Sequence, residues 1–302
     1  METRLESFEV LSLLDPVNRL GPNWTRLPAT AVIVRPTLDE ADAFNRLLAR
    51  RFPYGTSQIA LIRAILGQGH EVFVTGGTVR DIITGVEPYD LDVVTSMPLA
   101  RLEAIGRGLC PSWPQLTETM RLNGRHTVGD PPPGVTLDIA VFKRAWPGSP
   151  SAVFGADMAI DSSYRDFSIN ALYFDPVNEI LFDPSGFGLL DASERVLRCI
   201  CEKERRTDRQ QAKLCIRAIR FYVEGFRPDE LSLATVSRLL SDGTLGAMRT
   251  EELLAFFRSQ LLDRDPGKRQ ERFDAARTAF EVFQATKEWE RYFASEEEEL
   301  LS

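Results

Sequence analysis

Two aspartates separated by one residue are the strongest candidates for chemistry in this sequence of 302 residues. Asp90 and Asp92 lie at the start of a β-branched run, Leu91–Val94, and residues two apart in a strand point to the same face. Two adjacent carboxylates repel each other unless a cation lies between them, and Mg²⁺ takes such oxygens together with substrate phosphates. On its own, the pair is also what a turn followed by a plain strand would show.

A pair of glycines precedes these aspartates. Gly76 and Gly77 follow a β-rich run, Glu71–Thr75, and precede a helix predicted over Thr78–Thr84. Glycines let backbone N–H groups approach a ligand closely, and a helix N-terminus attracts anions. A triphosphate fits such a place, although a plain tight turn has the same composition. Together, the glycine turn, the helix and the paired aspartates favour a metal-dependent site for a nucleoside triphosphate.

A third acid, Asp138, lies in an apolar run predicted as a strand over Val135–Phe142. A lone carboxylate is costly to bury without a partner. Asp138 therefore either joins a metal site or faces solvent, and the residues leave both possibilities open.

Six segments, in order, resemble the class II CCA-adding enzyme and bacterial poly(A) polymerase family. They are GGTVRD (76–81), DLD (90–92), LDIAVFK (137–143), YRDFSINAL (164–172), the segment 183–198, and RAIRF (217–221). The resemblance implies an α+β fold, in which a nucleotidyltransferase head of the polymerase β type, with a mixed sheet, precedes a short all-α neck and body. The expected boundaries are an N-terminal extension over 1–50, the head over 51–200, and the helical neck and truncated body over 201–302.

The resemblance also implies roles for individual residues. Asp90 and Asp92 would hold Mg²⁺ in a two-metal site, and Asp138 would assist as a third catalytic acid. Asn170 would lie near the nucleotide or merely brace the fold. The residues expected to bind the nucleotide are Gly76, Gly77, Arg80, Asp81, Arg165, Asp166, Asn170, Gln211, Arg217 and Arg220.

Two departures from the family pattern concern the nucleotide. Tyr164 stands where the family has the first arginine of an Arg-Arg-Asp motif associated with the sugar. Gln211 and Leu214 stand where the family has a carboxylate and a guanidinium that read the base edge, and a leucine offers no hydrogen bond. We therefore expect relaxed or altered base choice instead of ordered C-C-A addition.

The last third of the sequence has helical spacing, with helices predicted over 209–225, 229–240 and 250–262. Lys213, Arg217 and Arg220 share one face of the first of these helices. This face would line the triphosphate, meet an RNA backbone, or form a solvated stripe.

The bulk composition limits the class of protein. A net charge of -8 argues against tight nonspecific binding of nucleic acid. The four cysteines form no CxxC pair, which makes a structural zinc site improbable and fits a reducing compartment. The sequence shows neither a targeting segment nor an apolar stretch of transmembrane length, so a cytoplasmic protein without a membrane segment is expected.

Three functions stay open at this point. An RNA 3′-end nucleotidyltransferase that uses an NTP and acts on a tRNA-like end is favoured, because the head motifs are those of RNA enzymes. Nucleotidylation of a small molecule or a protein is the second, and it is favoured by the acidic net charge, the truncated body and the loss of the base-reading pair. A non-catalytic relative that binds nucleotide or RNA is the third, and the retention of both motif aspartates counts against it.

Overall fold

The chain divides into two compact units, residues 1–193 and 194–302. The predicted loops at 130–134 and 147–150 lie outside the described residues, as does the start of the predicted N-terminal extension. In the part of the chain that the structure describes, no helix is both long enough and apolar enough to cross a membrane. The structure is a computed structural model, and it describes residues 27–51, 57–88, 90–109, 113–118, 124–129, 136–144, 153–154, 157–200 and 206–301.

The first unit is built on a mixed sheet of seven strands. Its spatial order is β1-β9-β8-β2-β3-β5-β4, and β3 and β5 are its one parallel pair among the described residues. Strands β6 and β7 form a separate antiparallel pair. In chain order, the strands are β1 (Val32–Val34), β2 (Val72–Thr75), β3 (Leu91–Thr95), β4 (Arg125–Gly129), β5 (Thr136–Val141), β6 (Lys143–Arg144), β7 (Val153–Phe154), β8 (Tyr173–Asp175) and β9 (Ile180–Asp183). Because β1 pairs with β9, this part of the segment 1–50 belongs to the sheet.

Helices of this unit begin where the sequence supplies a cap. Thr37 forms a capping box with Glu40, and Ser57 accepts a hydrogen bond from the N–H of Ala60. The third helix begins at Gly76, two residues before the predicted start at Thr78. The helices are α1 (Leu38–Ala49), α2 (Gln58–Gly67), α3 (Gly76–Ile83), α4 (Leu99–Leu109), α5 (Met158–Ser163) and α6 (Gly188–Glu194).

Aromatic and β-branched side chains from the sheet form the core of the first unit. Phe73, Tyr173 and Phe182 lie in one buried cluster with edge-to-face ring contacts. Phe44 of α1 stacks on Phe174 of β8, with ring centroids 3.8 Å apart. All four residues of β2 are buried, so the strand that leads into the glycine turn is held on both faces.

Where the structure describes it, the second unit is helical apart from one short parallel strand pair, β10 (Val196–Leu197) with β11 (Arg227–Pro228). Its helices are α7 (Asp208–Val223), α8 (Glu230–Ser241), α9 (Thr250–Phe257), α10 (Arg269–Val282), α11 (Thr286–Tyr292) and α12 (Glu297–Leu301). The helix predicted over 250–262 continues beyond α9 as a π-helical turn, Arg258–Leu262. The α+β class, with a mixed-sheet head and a helical body, is confirmed.

Candidate active site

Three aspartates lie close together on and just before the parallel strands β3 and β5. Asp92 lies directly opposite Asp138 in the parallel register, and Asp90 immediately precedes β3. One carboxylate oxygen from each of the three lies within 4.8 Å of the other two. Leu91 and Val93 are buried, so the alternation of the strand turns Asp92 away from them. The acid that the sequence left between two interpretations, Asp138, is part of this cluster.

The cluster fits a divalent cation. Its donors are carboxylate oxygens, the ligands that Mg²⁺ takes in proteins. Asp138 is buried, whereas Asp90 and Asp92 are half-buried, so an ion held here would also have room for water and phosphate ligands. Three carboxylates this close repel one another, and a cation between them relieves that repulsion.

The glycine turn packs directly against the paired aspartates. The N–H of Gly77 donates to Asp92 Oδ2 at 3.2 Å. Gly76 has a φ of 63°, in the left-handed region that favours glycine. A Cβ on Gly76 would lie 3.4 Å from Asp92 Oδ2, and a Cβ on Gly77 only 3.1 Å from the same oxygen. Both glycines therefore allow the close approach of a carboxylate to the N-terminus of α3.

Thr78 fixes the backbone between the two aspartates. Its hydroxyl donates to the carbonyl of Asp90 at 3.1 Å and accepts from the N–H of Asp92 at 2.7 Å. The side chain is fully buried. The role of Thr78 was missed by sequence reasoning, because a hydroxyl inside the GGTVRD segment carries no signal of the strand that it will bind.

Asp138 has two partners on the edge strand β4. Arg125 forms an ion pair with its carboxylate, and the hydroxyl of Thr127 donates to it. The side chain of Arg125 is half-exposed, so this contact can exchange with solvent or with another cation. Neither residue was predicted.

Four of the predicted nucleotide-binding residues form one hydrogen-bonded network. Arg80, which is buried, donates to Asp81 Oδ1 from Nε at 2.9 Å and from Nη2 at 2.6 Å, and to Asn170 Oδ1 from Nη1 at 2.6 Å. Asn170 in turn donates to Asp166 Oδ1 at 2.9 Å. The network joins α3 to the turn after α5 beside the glycine turn, and in it Asn170 braces the fold.

Arg165 lies close to Gly76 and is held by a buried carboxylate. Its Nε and Nη2 donate to Asp161 Oδ2 at 3.0 and 2.7 Å, and the hydroxyl of Tyr173 donates to the same oxygen at 2.7 Å. Burial alone would lower the pKa of Arg165, but the charge of Asp161 more than offsets this and raises it above its ordinary value. Burial, followed by the charge of Asp161, raises the pKa of Tyr173 well above its ordinary range. Arg165 is thus permanently cationic.

In the second unit, the two residues that depart from the family's base-reading pair share a recess. Gln211 and Leu214 lie on α7, and Gln211 Nε2 donates to the carbonyl of Arg206 at 3.3 Å. The recess has a volume of about 30 Å³ and is lined by Cys199, Arg206, Gln211, Leu214, Thr235, Arg238 and Leu239. Two arginines, Arg206 and Arg238, therefore line it, whereas the side chain of Leu214 carries no polar atom.

The three residues of the predicted basic face of α7 differ in burial and in their contacts. Arg220 is buried, and it donates to Glu224 Oε1 at 3.0 Å and to Gln260 Oε1 at 3.2 Å. Arg217 is half-buried, and Lys213 Nζ lies 5.3 Å from the ring of Phe256. Arg220 thus belongs to the interior of the second unit and not to a solvated stripe.

A mixed sheet whose glycine turn opens a helix against an acidic cluster is consistent with the nucleotidyltransferase head that the sequence predicts. Residues 72–198 match the family model described as the Poly A polymerase head domain. This part of the chain is similar to CCA-adding enzymes and bacterial poly(A) polymerases, in agreement with the resemblance seen in the sequence.

Individual relatives agree with this assignment at low identity. Poly(A) polymerase I of Salmonella typhimurium is 28% identical over 166 residues, which cover 51% of this chain and 34% of the relative. The CCA-adding enzyme of Geobacillus kaustophilus is 29% identical over 211 residues, covering 68% of this chain and 48% of the relative. This chain therefore spans between a third and a half of the length of these curated relatives.

Solved structures show the same fold. The Bacillus stearothermophilus CCA-adding enzyme in complex with CTP aligns with a TM-score of 0.53 and 24% identity, over 67% of this chain and 47% of that one. The Thermotoga maritima CCA-adding enzyme in complex with tRNA aligns with a TM-score of 0.59 and 20% identity, over 80% of this chain and 54% of that one.

Proposed function

We propose that this protein is a metal-dependent nucleotidyltransferase, which moves a nucleoside monophosphate from an NTP to a hydroxyl acceptor and releases pyrophosphate. The observation that carries the proposal is the cluster of Asp90, Asp92 and Asp138 against the glycine turn. Carboxylates alone would suit many divalent-cation sites. Their contact with the N-terminus of a helix supports the proposal, because a magnesium-bound triphosphate requires a cation site beside an anion site.

In this proposal, different residues bind the metal ion and the phosphates. Asp90, Asp92 and Asp138 would hold Mg²⁺, which when bound favours ionisation of the acceptor hydroxyl and neutralises charge on the leaving pyrophosphate. Gly76 and Gly77 leave room for phosphates at the positive end of the α3 dipole. In the reaction, the acceptor oxygen bonds to the α-phosphorus, the bridging bond between the α- and β-phosphates breaks, and the hydroxyl proton passes to solvent.

We infer that the acceptor is an RNA 3′ end, with a tRNA-like end as the first candidate. Residues 72–198 match the poly A polymerase head domain, and two relatives are named poly(A) polymerase I and CCA-adding enzyme. A structural relative is a complex with tRNA, and another a complex with CTP. These observations support RNA and NTP as the two substrates.

Nucleotidylation of a small molecule or a protein is the second candidate. It is favoured by the net charge of -8, because an RNA enzyme gains affinity from neutralising phosphates. The substitution of Gln211 and Leu214 at the expected base-reading positions favours it as well.

A label-transfer assay distinguishes the two candidates. The protein is incubated with Mg²⁺ and each α-³²P-labelled NTP in turn, with tRNA lacking its CCA end, with an unrelated RNA, or with a cell extract freed of RNA. Label on the RNA 3′ end, released as a 3′-terminal nucleotide by nuclease, is the expected result. Label that appears only in the extract freed of RNA would support the second candidate, and label on no acceptor would contradict nucleotidyl transfer altogether.

A further inference from the structure

Asp161 is a fully buried carboxylate that faces no solvent and was not among the predicted site residues. It is 1% exposed, and four hydrogen bonds from described residues reach its carboxylate. Three converge on Oδ2, from Arg165 Nε, Arg165 Nη2 and the hydroxyl of Tyr173. The fourth reaches Oδ1 from the N–H of Lys143 at 2.8 Å. Because both of its carboxylate oxygens accept these hydrogen bonds, Asp161 is suited to hold a neighbouring side chain in place and not to bind a substrate.

That neighbour, Arg165, turns a third nitrogen toward the glycine turn. Its Nη1 lies 3.8 Å from the position that a Cβ on Gly76 would occupy. Asp92 Oδ2 lies 3.4 Å from the same position. The guanidinium of Arg165 and a carboxylate of the acidic cluster therefore border the same small space at the start of α3, where a phosphate would meet both a cation and the helix N-terminus.

Asp161 is itself fixed from two further elements. Tyr173 extends from the central part of the sheet on β8, and Lys143 supplies its backbone from β6. The ring of Tyr173 also lies 5.7 Å from the Arg165 guanidinium carbon, so ring and carboxylate confine the guanidinium together.

A purely structural role explains this arrangement poorly. A buried ion pair adds little net stability, because removing two charges from water costs about as much as their attraction returns. A flexible arginine that is already held in its binding geometry, in contrast, loses less conformational freedom when an anion arrives.

We propose that Asp161 is a positioning residue, which holds Arg165 so that its guanidinium meets the triphosphate of the incoming NTP at the glycine turn. This inference rests on the proposed function. It assigns Arg165 to the phosphates, whereas the family resemblance associates its motif with the sugar.

The test compares equilibrium binding of Mg·NTP, for each of the four NTPs, with binding of the matching NMP. Asp161→Asn keeps the size of the side chain but removes its charge, and it should weaken Mg·NTP about tenfold while leaving NMP affinity within about twofold. Asp39→Asn, the same change at an exposed aspartate of α1, is the matched control, and it should change neither affinity by more than about twofold.

A double variant distinguishes a positioning role of Asp161 from general damage to the fold, because the effects of the two substitutions on NTP affinity should then not add. If Asp161 acts only through Arg165, the double variant Asp161→Asn/Arg165→Gln should bind Mg·NTP no more weakly than Arg165→Gln alone. Should Asp161→Asn fail to fold, Arg165→Gln decides by itself, because unchanged triphosphate affinity in that variant overturns the proposal. Equal losses for NTP and NMP in Asp161→Asn would also overturn it. Failure of the wild type to bind any NTP would instead contradict the proposed function, so the two failures are distinguishable.

Discussion

Of the two adjacent glycines, Gly76 should be the one at which alanine lowers stability, and Gly77 the one at which alanine weakens binding of metal and NTP. Gly76 has a φ of 63°, where a Cβ costs about 1–2 kcal/mol, and its Cβ would meet Asp92 Oδ2 at an ordinary contact of 3.4 Å. At about 2–4 °C per kcal/mol for a unit of this size, Gly76→Ala should lower the melting temperature by roughly 2–8 °C. Gly77 has no such backbone constraint, and alanine is better than glycine inside a helix by up to about 1 kcal/mol. Gly77→Ala should therefore fold as well as the wild type.

Binding of metal and NTP should be weakened by the substitution at Gly77, the one that leaves stability unchanged. A Cβ on Gly77 would lie 3.1 Å from Asp92 Oδ2, so this carboxylate must move by a few tenths of an ångström. Metal sites hold their ligand distances to about 0.2 Å, and Mn²⁺ or Mg·NTP affinity should fall at least about tenfold in Gly77→Ala. The assays are thermal unfolding, titration with Mn²⁺ as a probe, and titration with Mg·NTP. If Gly77→Ala keeps wild-type affinity for both ligands, the glycine turn does not cradle the metal-bound triphosphate.

Three further predictions concern charge and hydrogen bonding. Arg125→Gln should tighten Mn²⁺ binding severalfold, because it removes the cation that pairs with Asp138, and unchanged or weaker binding would argue against Asp138 as a metal ligand. The wild type should discriminate weakly between CTP and ATP in single-nucleotide incorporation on a tRNA that lacks its CCA end, and faithful addition of C, C and A would contradict this. The pair Gln211→Asp/Leu214→Arg should sharpen that preference, because a guanidinium and a carboxylate then line the recess. Burial lowers the pKa of His126, whose ring nitrogens have no hydrogen-bond partner in the described part of the chain. The unfolded state therefore binds more protons at this histidine than the folded state does. As a result, the free energy of unfolding should fall as the pH drops through about 6.5. In His126→Phe this acid sensitivity, followed by denaturant unfolding between pH 7 and 5, should be smaller.

Local patterns predicted the elements that carry the site. A strand, a glycine pair and a helix can be read over 71–84 because each is encoded by neighbours in the chain, and the structure confirms the strand and the helix. The spacing of Asp90 and Asp92 likewise predicts that their carboxylates lie together, as they do. The start of α3 was placed two residues late, because glycine is a poor helix former and the left-handed φ of Gly76 cannot be seen in a sequence.

Contacts between distant segments could not be predicted in this way. Asp138 joins the acidic cluster because β5 lies parallel to β3 in one particular register, and no local pattern encodes that pairing. Thr78 and Asp161 owe their roles to the strand and the arginine that the fold brings to them. Arg80 was predicted to bind the nucleotide, whereas its bond to Asn170 could not be predicted, because it depends on two segments that are distant in the sequence.

The most direct test of the acidic cluster is the dependence of nucleotidyl transfer on Asp92 and on Mg²⁺. Incorporation of label from an α-³²P-labelled NTP is measured with and without Mg²⁺ for the wild type, for Asp92→Asn, and for Asp39→Asn, a matched change at an exposed aspartate of α1. The wild type and Asp39→Asn should transfer label only when Mg²⁺ is present. Asp92→Asn should show no transfer above background while it retains the wild-type unfolding curve. Full activity in Asp92→Asn, or transfer by the wild type with all divalent cations chelated, would contradict a metal-dependent nucleotidyltransferase centred on this residue.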